Sequence, residues 1–140
     1  MSIGPELLAK PSVNDATVRF FQAPADGPDF FWLSLDDLLR AAGLKAEPRR
    51  LLLKDIRRDA AASVRTTLCD GSITSIAPYS VAQAILANLI STGQVPGSSM
   101  GKLSRAAGEV LDQIAGRQRP EDIRRWVAGL LKRSEAGGSA

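Results

Sequence analysis

The dipeptide Asp70-Gly71 lies between two short stretches with strand-like patterning, Val64 to Leu68 and Ile73 to Ile76. A two-residue hairpin of type I′ needs positive φ at both central residues, and Asp-Gly accepts that geometry at low cost. The pair therefore predicts a local antiparallel hairpin. A second hairpin is predicted upstream. There Thr17-Val18-Arg19-Phe20-Phe21 and Phe30-Phe31-Trp32-Leu33 are strand-like and flank the turn cluster Ala23 to Asp29.

Helical periodicity fills the segments between and after these hairpins. Ser34 is placed to cap a helix whose first turn holds Asp36 and Asp37, both suited to the positive end of the helix dipole. Leu35, Leu38, Leu39 and Ala42 follow at helical spacing, and Gly43 occupies the C′ position. Pro48 fits the first position of a second helix reaching about Asp59, with Leu51, Leu52 and Ile56 as its buried stripe. Pro78 ends the return strand of the Asp70-Gly71 hairpin, and Ser80 with Gln83 forms a capping-box pattern. The helix that follows is apolar around most of its circumference and is expected at the centre of the core. Gly93 to Gly101 reads as a loop. Leu103 to Ile114 is amphipathic and ends at Gly116. Pro120 starts a last helix with Ile123, Trp126, Val127, Leu130 and Leu131 on one face.

Interleaved local hairpins and helices predict an α+β fold, with small hairpins packed on helices and two amphipathic helices at the C-terminal end. The expected organisation is a leader over 1–16, an α+β domain over 17–101, a helical pair over 102–134 and a flexible tail over 135–140.

Composition restricts the chemistry. The chain has no His and one Cys, Cys69. An internal disulfide, a zinc site of the usual Cys/His kind and any imidazole-based triad are excluded. No metal, cofactor or catalytic residue is expected, and Cys69 reads as a small apolar residue. Neither a secretory signal nor an unbroken apolar run of spanning length is seen, so a cytoplasmic protein without a membrane partner is expected. The loop Gly97-Ser98-Ser99-Met100-Gly101-Lys102 approaches a phosphate-binding loop. However, Pro96 stands where the first Gly is required and Leu103 where the metal-binding hydroxyl is required. Ser99 to Lys102 also matches Ser-x-x-Lys spacing, but in a segment expected to be mostly loop rather than helix. The carboxylate pairs Asp36 with Asp37, and Asp55 with Asp59, are accounted for by dipole complementarity and solvation.

The net charge is +3, and the cations cluster. The first cluster contains Lys45, Arg49, Arg50, Lys54, Arg57 and Arg58, with Arg65 beyond. The second contains Arg117, Arg119, Arg124, Arg125, Lys132 and Arg133. Clustered Arg can neutralise phosphates. Leu35 to Lys54 can be read as a helix-turn-helix, with Lys45, Arg49, Arg50 and Arg57 meeting DNA. It can equally be read as two core-packing helices with a basic exterior. Both readings stay open at this level.

The stretch Phe31-Trp32-Leu33-Ser34-Leu35-Asp36-Asp37-Leu38-Leu39-Arg40-Ala41-Ala42-Gly43-Leu44 resembles the opening of phage antirepressor N-terminal and Bro-N domains. Cys69-Asp70-Gly71-Ser72 and the apolar helix after Tyr79 follow in similar order. Ile123-Arg124-Arg125-Trp126-Val127-Ala128-Gly129-Leu130-Leu131 resembles the family's Phe-Arg-Arg-Trp-Val segment, with Ile123 in place of the aromatic. The resemblance implies a regulator from a phage or mobile element that binds DNA or captures a repressor protein, and it carries over no catalytic residue. The leading expectation is thus a non-enzymatic transcriptional regulator. Lys45, Arg49, Arg50, Lys54, Arg57 and Arg58 are its expected nucleic-acid contacts, chosen on charge alone. Arg124, Arg125, Trp126 and Leu130 are expected to bind a protein partner or a second copy. The alternative is a protein-interaction module that makes no nucleic-acid contact.

Overall fold

The computed structural model describes residues 5–24 and 31–117, with side chains to residue 114. The expected last helix with Arg124, Arg125, Trp126 and Leu130, and the tail after it, lie outside the described residues. Along the described chain come strands β1 (Leu7–Ala9), β2 (Ser12–Val13), β3 (Ala16–Thr17), β4 (Phe20–Phe21) and β5 (Trp32–Ser34). Helices α1 (Leu35–Ala41) and α2 (Ala46–Asp59) follow, then β6 (Arg65–Cys69), β7 (Ser72–Pro78), α3 (Tyr79–Ser91) and α4 (Ser99–Arg117). The α+β class is as expected. One antiparallel sheet has the order β1-β4-β5-β7-β6, and β2 with β3 forms a separate two-stranded ribbon.

Both expected antiparallel pairings form, the first only over Phe20 and Phe21, since Thr17 belongs to the ribbon and the expected turn lies mostly outside the described residues. Phe20 pairs with Leu33, and Phe21 with Trp32. Around Asp70-Gly71, Leu68 pairs with Ile73 and Cys69 with Ser72. Asp70 and Gly71 take φ of 53° and 79°, as a type I′ turn demands. The sequence pattern missed the ribbon turn at Asn14 and Asp15, which has the same geometry with φ of 52° and 66°.

Strand alternation sorts the side chains into two clusters. Phe20, Phe31, Leu33 and Ala77 join the main core with residues from all four helices. Phe21, Trp32 and Ile76 form a smaller cluster, against which Leu7, Ala23 and the free Cys69 pack. Phe20 and Tyr79 each meet the Phe31 ring edge-on, with centroids 5.2 and 5.5 Å away.

Several expectations are corrected. The segment read as a leader supplies β1, an edge strand paired with β4, together with β2 of the ribbon. These strands hold two or three residues each, too few for periodicity to show. The boundary drawn at 101/102 falls inside α4. That helix starts at Ser99, runs past Gly116, and buries Leu103, Ala106, Ala107 and Val110. It packs on α3, β1 and β2, so it belongs to the same core as the sheet. In α2 the residue sunk into the core is Leu53. Leu52 and Ile56 are half-buried, and Leu51 is 47% exposed. The helix begins two residues before Pro48, at Ala46. The Ser80 capping box does not form. Pro78 is paired with Trp32 as the last strand residue, and the chain enters α3 directly, with no side-chain cap. Helix α3 covers the core instead of lying at its centre. It buries Ala82, Leu86 and Leu89 and leaves Ala84, Ala87 and Asn88 exposed.

Helix α1 ends as the sequence predicts. Gly43 has φ of +94°, its N–H donates to the Arg40 carbonyl, and the Leu44 N–H donates to that of Leu39, which together make a Schellman motif. Gly43→Ala should lower unfolding free energy by about 1 kcal/mol, because an L residue is strained at that φ. Gly108→Ala lies inside α4 with open space around the added carbon, and should raise stability by up to about 1 kcal/mol. Urea denaturation of the two variants checks the opposite signs.

Candidate nucleic-acid interface

The basic helix α2 is held by its neighbour α1, and α1 is tied to the sheet by polar contacts. Ser34 caps α1 by accepting from the Asp37 N–H at 3.1 Å, and its hydroxyl lies 2.6 Å from that of Thr74 on β7. Asp36 accepts from the Thr74 hydroxyl and from the Ser75 N–H, both at 2.7 Å. Asp37 has only 4% of its side chain exposed and is gripped by Arg19, through Nε at 2.8 Å and Nη2 at 3.2 Å. The Arg19 backbone N–H donates to the same carboxylate at 3.0 Å. Hydrogen bonding to Asp37 raises the Arg19 guanidinium above its ordinary value, against the opposing effect of burial. The two aspartates therefore do more than complement the helix dipole. They fasten α1 to β7 and to the chain between β3 and β4.

The Schellman turn then sets the start of α2. Arg49 reaches back to the Leu44 carbonyl at 3.1 Å, and Arg57 donates to the Ser75 hydroxyl at 3.0 Å. Two of the six predicted cations thus help to seat the helix. Arg50, Lys54 and Arg58 recur every fourth residue and share one exposed row, since such spacing returns to the same helical face. Exposed Leu51 adjoins this row. Lys45 is the exposed N-cap residue, without a side-chain cap bond. The side chains of Lys45 and Lys54 have no hydrogen-bond or ion-pair partner among the described residues.

Acidic side chains partly neutralise the row. Arg50 lies 2.6 Å from Glu47, and Arg58 lies 3.3 Å from Asp55 and 2.9 Å from Asp59. The Arg50 bond holds Glu47 below the usual carboxylate range, and the Arg58 bond does the same for Asp59. These pairs are exposed, so each adds little to stability. Lys45 to Asp59 carry six cations against three carboxylates, an excess equal to the net charge of the whole chain.

The remaining candidate chemistry is placed as follows. Ser99 and Lys102 lie on the first turn of α4, not in the expected loop. Ser99 is buried, and its hydroxyl is not bonded to Lys102. The Lys102 ammonium donates to Asn14 Oδ1, while Asn14 Nδ2 donates to the Ala41 carbonyl at 3.1 Å. Lys102 thereby links α4, the β2–β3 turn and α1. Among the described residues no helix is long and apolar enough to cross a membrane.

Sequence reasoning missed Arg19, which stands as a lone charge in the apolar run Thr17 to Phe21. That isolation was the available signal, because a cation there needs a buried partner. Comparison with family models, with characterised proteins and with solved structures found no match to the chain.

Arg19→Ala would leave the Asp37 carboxylate enclosed without its cation. It should cost about 3 kcal/mol, the lower end for breaking one partner of a buried pair, whereas Arg50→Ala, at a fully exposed pair, should leave stability nearly unchanged. Chemical denaturation of both variants distinguishes them. The lowered Glu47 value adds stability that is present above the ordinary carboxylate value and is lost as pH falls through the depressed one. A carboxyl-resolved NMR titration should therefore find Glu47 ionised at pH values where unperturbed glutamates have taken up protons, and Arg50→Ala should return it to the ordinary range.

Proposed function

We propose that this protein is a non-enzymatic regulator that docks on DNA, with the exposed row of α2 laid against the phosphate backbone. The observation that carries the reading is the exposed Arg50, Lys54 and Arg58 row on a helix that, together with its N-cap Lys45, carries six cations against three carboxylates. Phosphates would compete with Glu47, Asp55 and Asp59 for these cations, and the backbone of duplex DNA offers a much denser array of negative charge. Lys54 and Lys45 need release no partner. The resemblance of Phe31 to Leu44 to antirepressor N-terminal and Bro-N domains supports the same class, a regulator of phage or mobile-element type. The order α1, tight turn, α2 is compatible with a helix-turn-helix use of α2.

One observation favours a second reading, a protein-interaction module without nucleic-acid contact. Leu68 and Ile73 face each other across the β6–β7 hairpin and are 66% and 74% exposed. A cross-strand apolar pair in water, beside an edge strand, is a surface that a protein partner such as a repressor could cover.

Titration with random-sequence duplex at several salt concentrations tests the first reading. Binding should weaken steeply with salt, and Arg50→Ala, Lys54→Ala and Arg58→Ala together should reduce the log–log slope by roughly 3, about one per lost phosphate contact. An unchanged slope would remove this row from the interface. No binding at low salt, with a partner lost on Leu68→Ser and Ile73→Ser, would establish the second reading.

A further inference from the structure

A second charged feature shares no residue with the exposed row of α2. Four chain segments enclose an open polar depression of about 500 Å³ lined by Lys10, Thr17, Arg19, Asp37, Arg40, Asp70 and Ser72. Lys10 follows β1, Thr17 ends β3, Arg40 is in the last turn of α1, and Asp70 and Ser72 belong to the β6–β7 turn. These positions are far apart in sequence and are brought together only by the folded sheet.

The charges in the depression are unequally committed. Asp37 is saturated by Arg19. The Nε and Nη2 groups of Arg19 are spent on that carboxylate, while Nη1 has only a long 3.5 Å contact to the Cys69 carbonyl. Arg40 is 57% exposed and comes no nearer to Asp37 than 4.0 Å. Lys10 is exposed and has no partner among the described residues. Arg40, Lys10 and the outer edge of Arg19 thus remain as donors, with the Thr17 hydroxyl, while the Ser72 hydroxyl donates to the Cys69 carbonyl at 3.3 Å. Among the described residues that line the depression, the one carboxylate not already paired is Asp70. A tetrahedral dianion suits this set, since two guanidinium groups and an ammonium can each meet a different oxygen.

We propose that the depression binds a phosphate monoester, held by Lys10, Arg19 and Arg40, with Asp70 limiting its affinity. The monoester can come from a small molecule or from the end of a polynucleotide. The diester backbone that the α2 row would meet carries one charge per phosphate, whereas a terminal phosphate carries nearly two. The depression thereby distinguishes an end, or a free nucleotide, from the body of a strand.

The test is NMR titration of the full chain with inorganic phosphate, against chloride at matched ionic strength. Saturable shifts are expected at Lys10, Thr17, Arg40 and Ser72 with phosphate alone. Lys10→Ala with Arg40→Ala should weaken binding at least about tenfold, as loss of two charge-assisted contacts predicts. Asp70→Asn should tighten it. Both substitutions are at exposed positions, and amide dispersion confirms that each variant is folded. A short single strand with a 5′-phosphate should reproduce the shifts if a polynucleotide end is the source, while a response to phosphate and phenyl phosphate only assigns the site to small molecules. Equal shifts with chloride would overturn the proposal. So would equal shifts from the strand without its 5′-phosphate, or wild-type phosphate affinity in the Lys10, Arg40 double variant.

Discussion

The two carboxylates at the start of α1 anchor the polar framework of this fold. A helix of seven residues has little stability of its own, because few backbone bonds repay the cost of nucleation. Here its N-terminal end is fixed from three directions: by the Ser34 cap, by Asp36 on Thr74 and Ser75 of β7, and by Asp37 on Arg19. The cap is local, but the Asp36 and Asp37 bonds join parts of the chain that are distant in sequence. Asp37 is almost wholly withdrawn from water, so its charge requires Arg19 to be in place. The position of α1 is therefore over-determined, and α2, attached through the Gly43 turn and Arg49, inherits that position.

The apolar layers and the polar framework divide the work. Phe20, Phe31, Leu33, Leu38, Leu39, Leu86 and Leu103 supply burial, which drives collapse without direction. The aspartate contacts supply direction. They select one placement of α1 along β7 among the several that hydrophobic packing alone would accept, in the way buried polar networks specify a unique arrangement. Asn14 repeats the device on a smaller scale, accepting from Lys102 on α4 and donating to the C-terminal end of α1.

Much of this was legible in the residues. The type I′ turn at Asp70-Gly71, the cap at Ser34 and the C′ glycine at Gly43 are local signals, set by φ requirements and one or two hydrogen bonds, and they survive into the structure. The strands β1 to β3 were not legible, because two or three residues define no period and their pairing partners lie elsewhere in the chain. The start of α4 was hidden by Pro96, Gly97 and Gly101, which mimic a loop although Ser99 onward is helical. In the candidate interface the cations themselves were legible from charge. Their division into a seated pair, Arg49 and Arg57, and an exposed row was not, because it depends on which face of α2 meets Leu44 and Ser75. Arg19 and Asp37 are 18 residues apart, and no single-sequence rule couples them.

The placement of α2 has a consequence for how such a chain can change over time. The α1–α2 unit lies on the connection between β5 and β6, while β5 pairs directly with β7. The sheet closes without any contribution from the outward residues of α2. Positions 50, 54 and 58 can consequently drift, exchange charge or acquire new side chains without the hydrophobic interior registering it. Substitutions there leave foldability untouched, so divergence among descendants of this chain should concentrate on that helical face before it reaches the aspartates beneath.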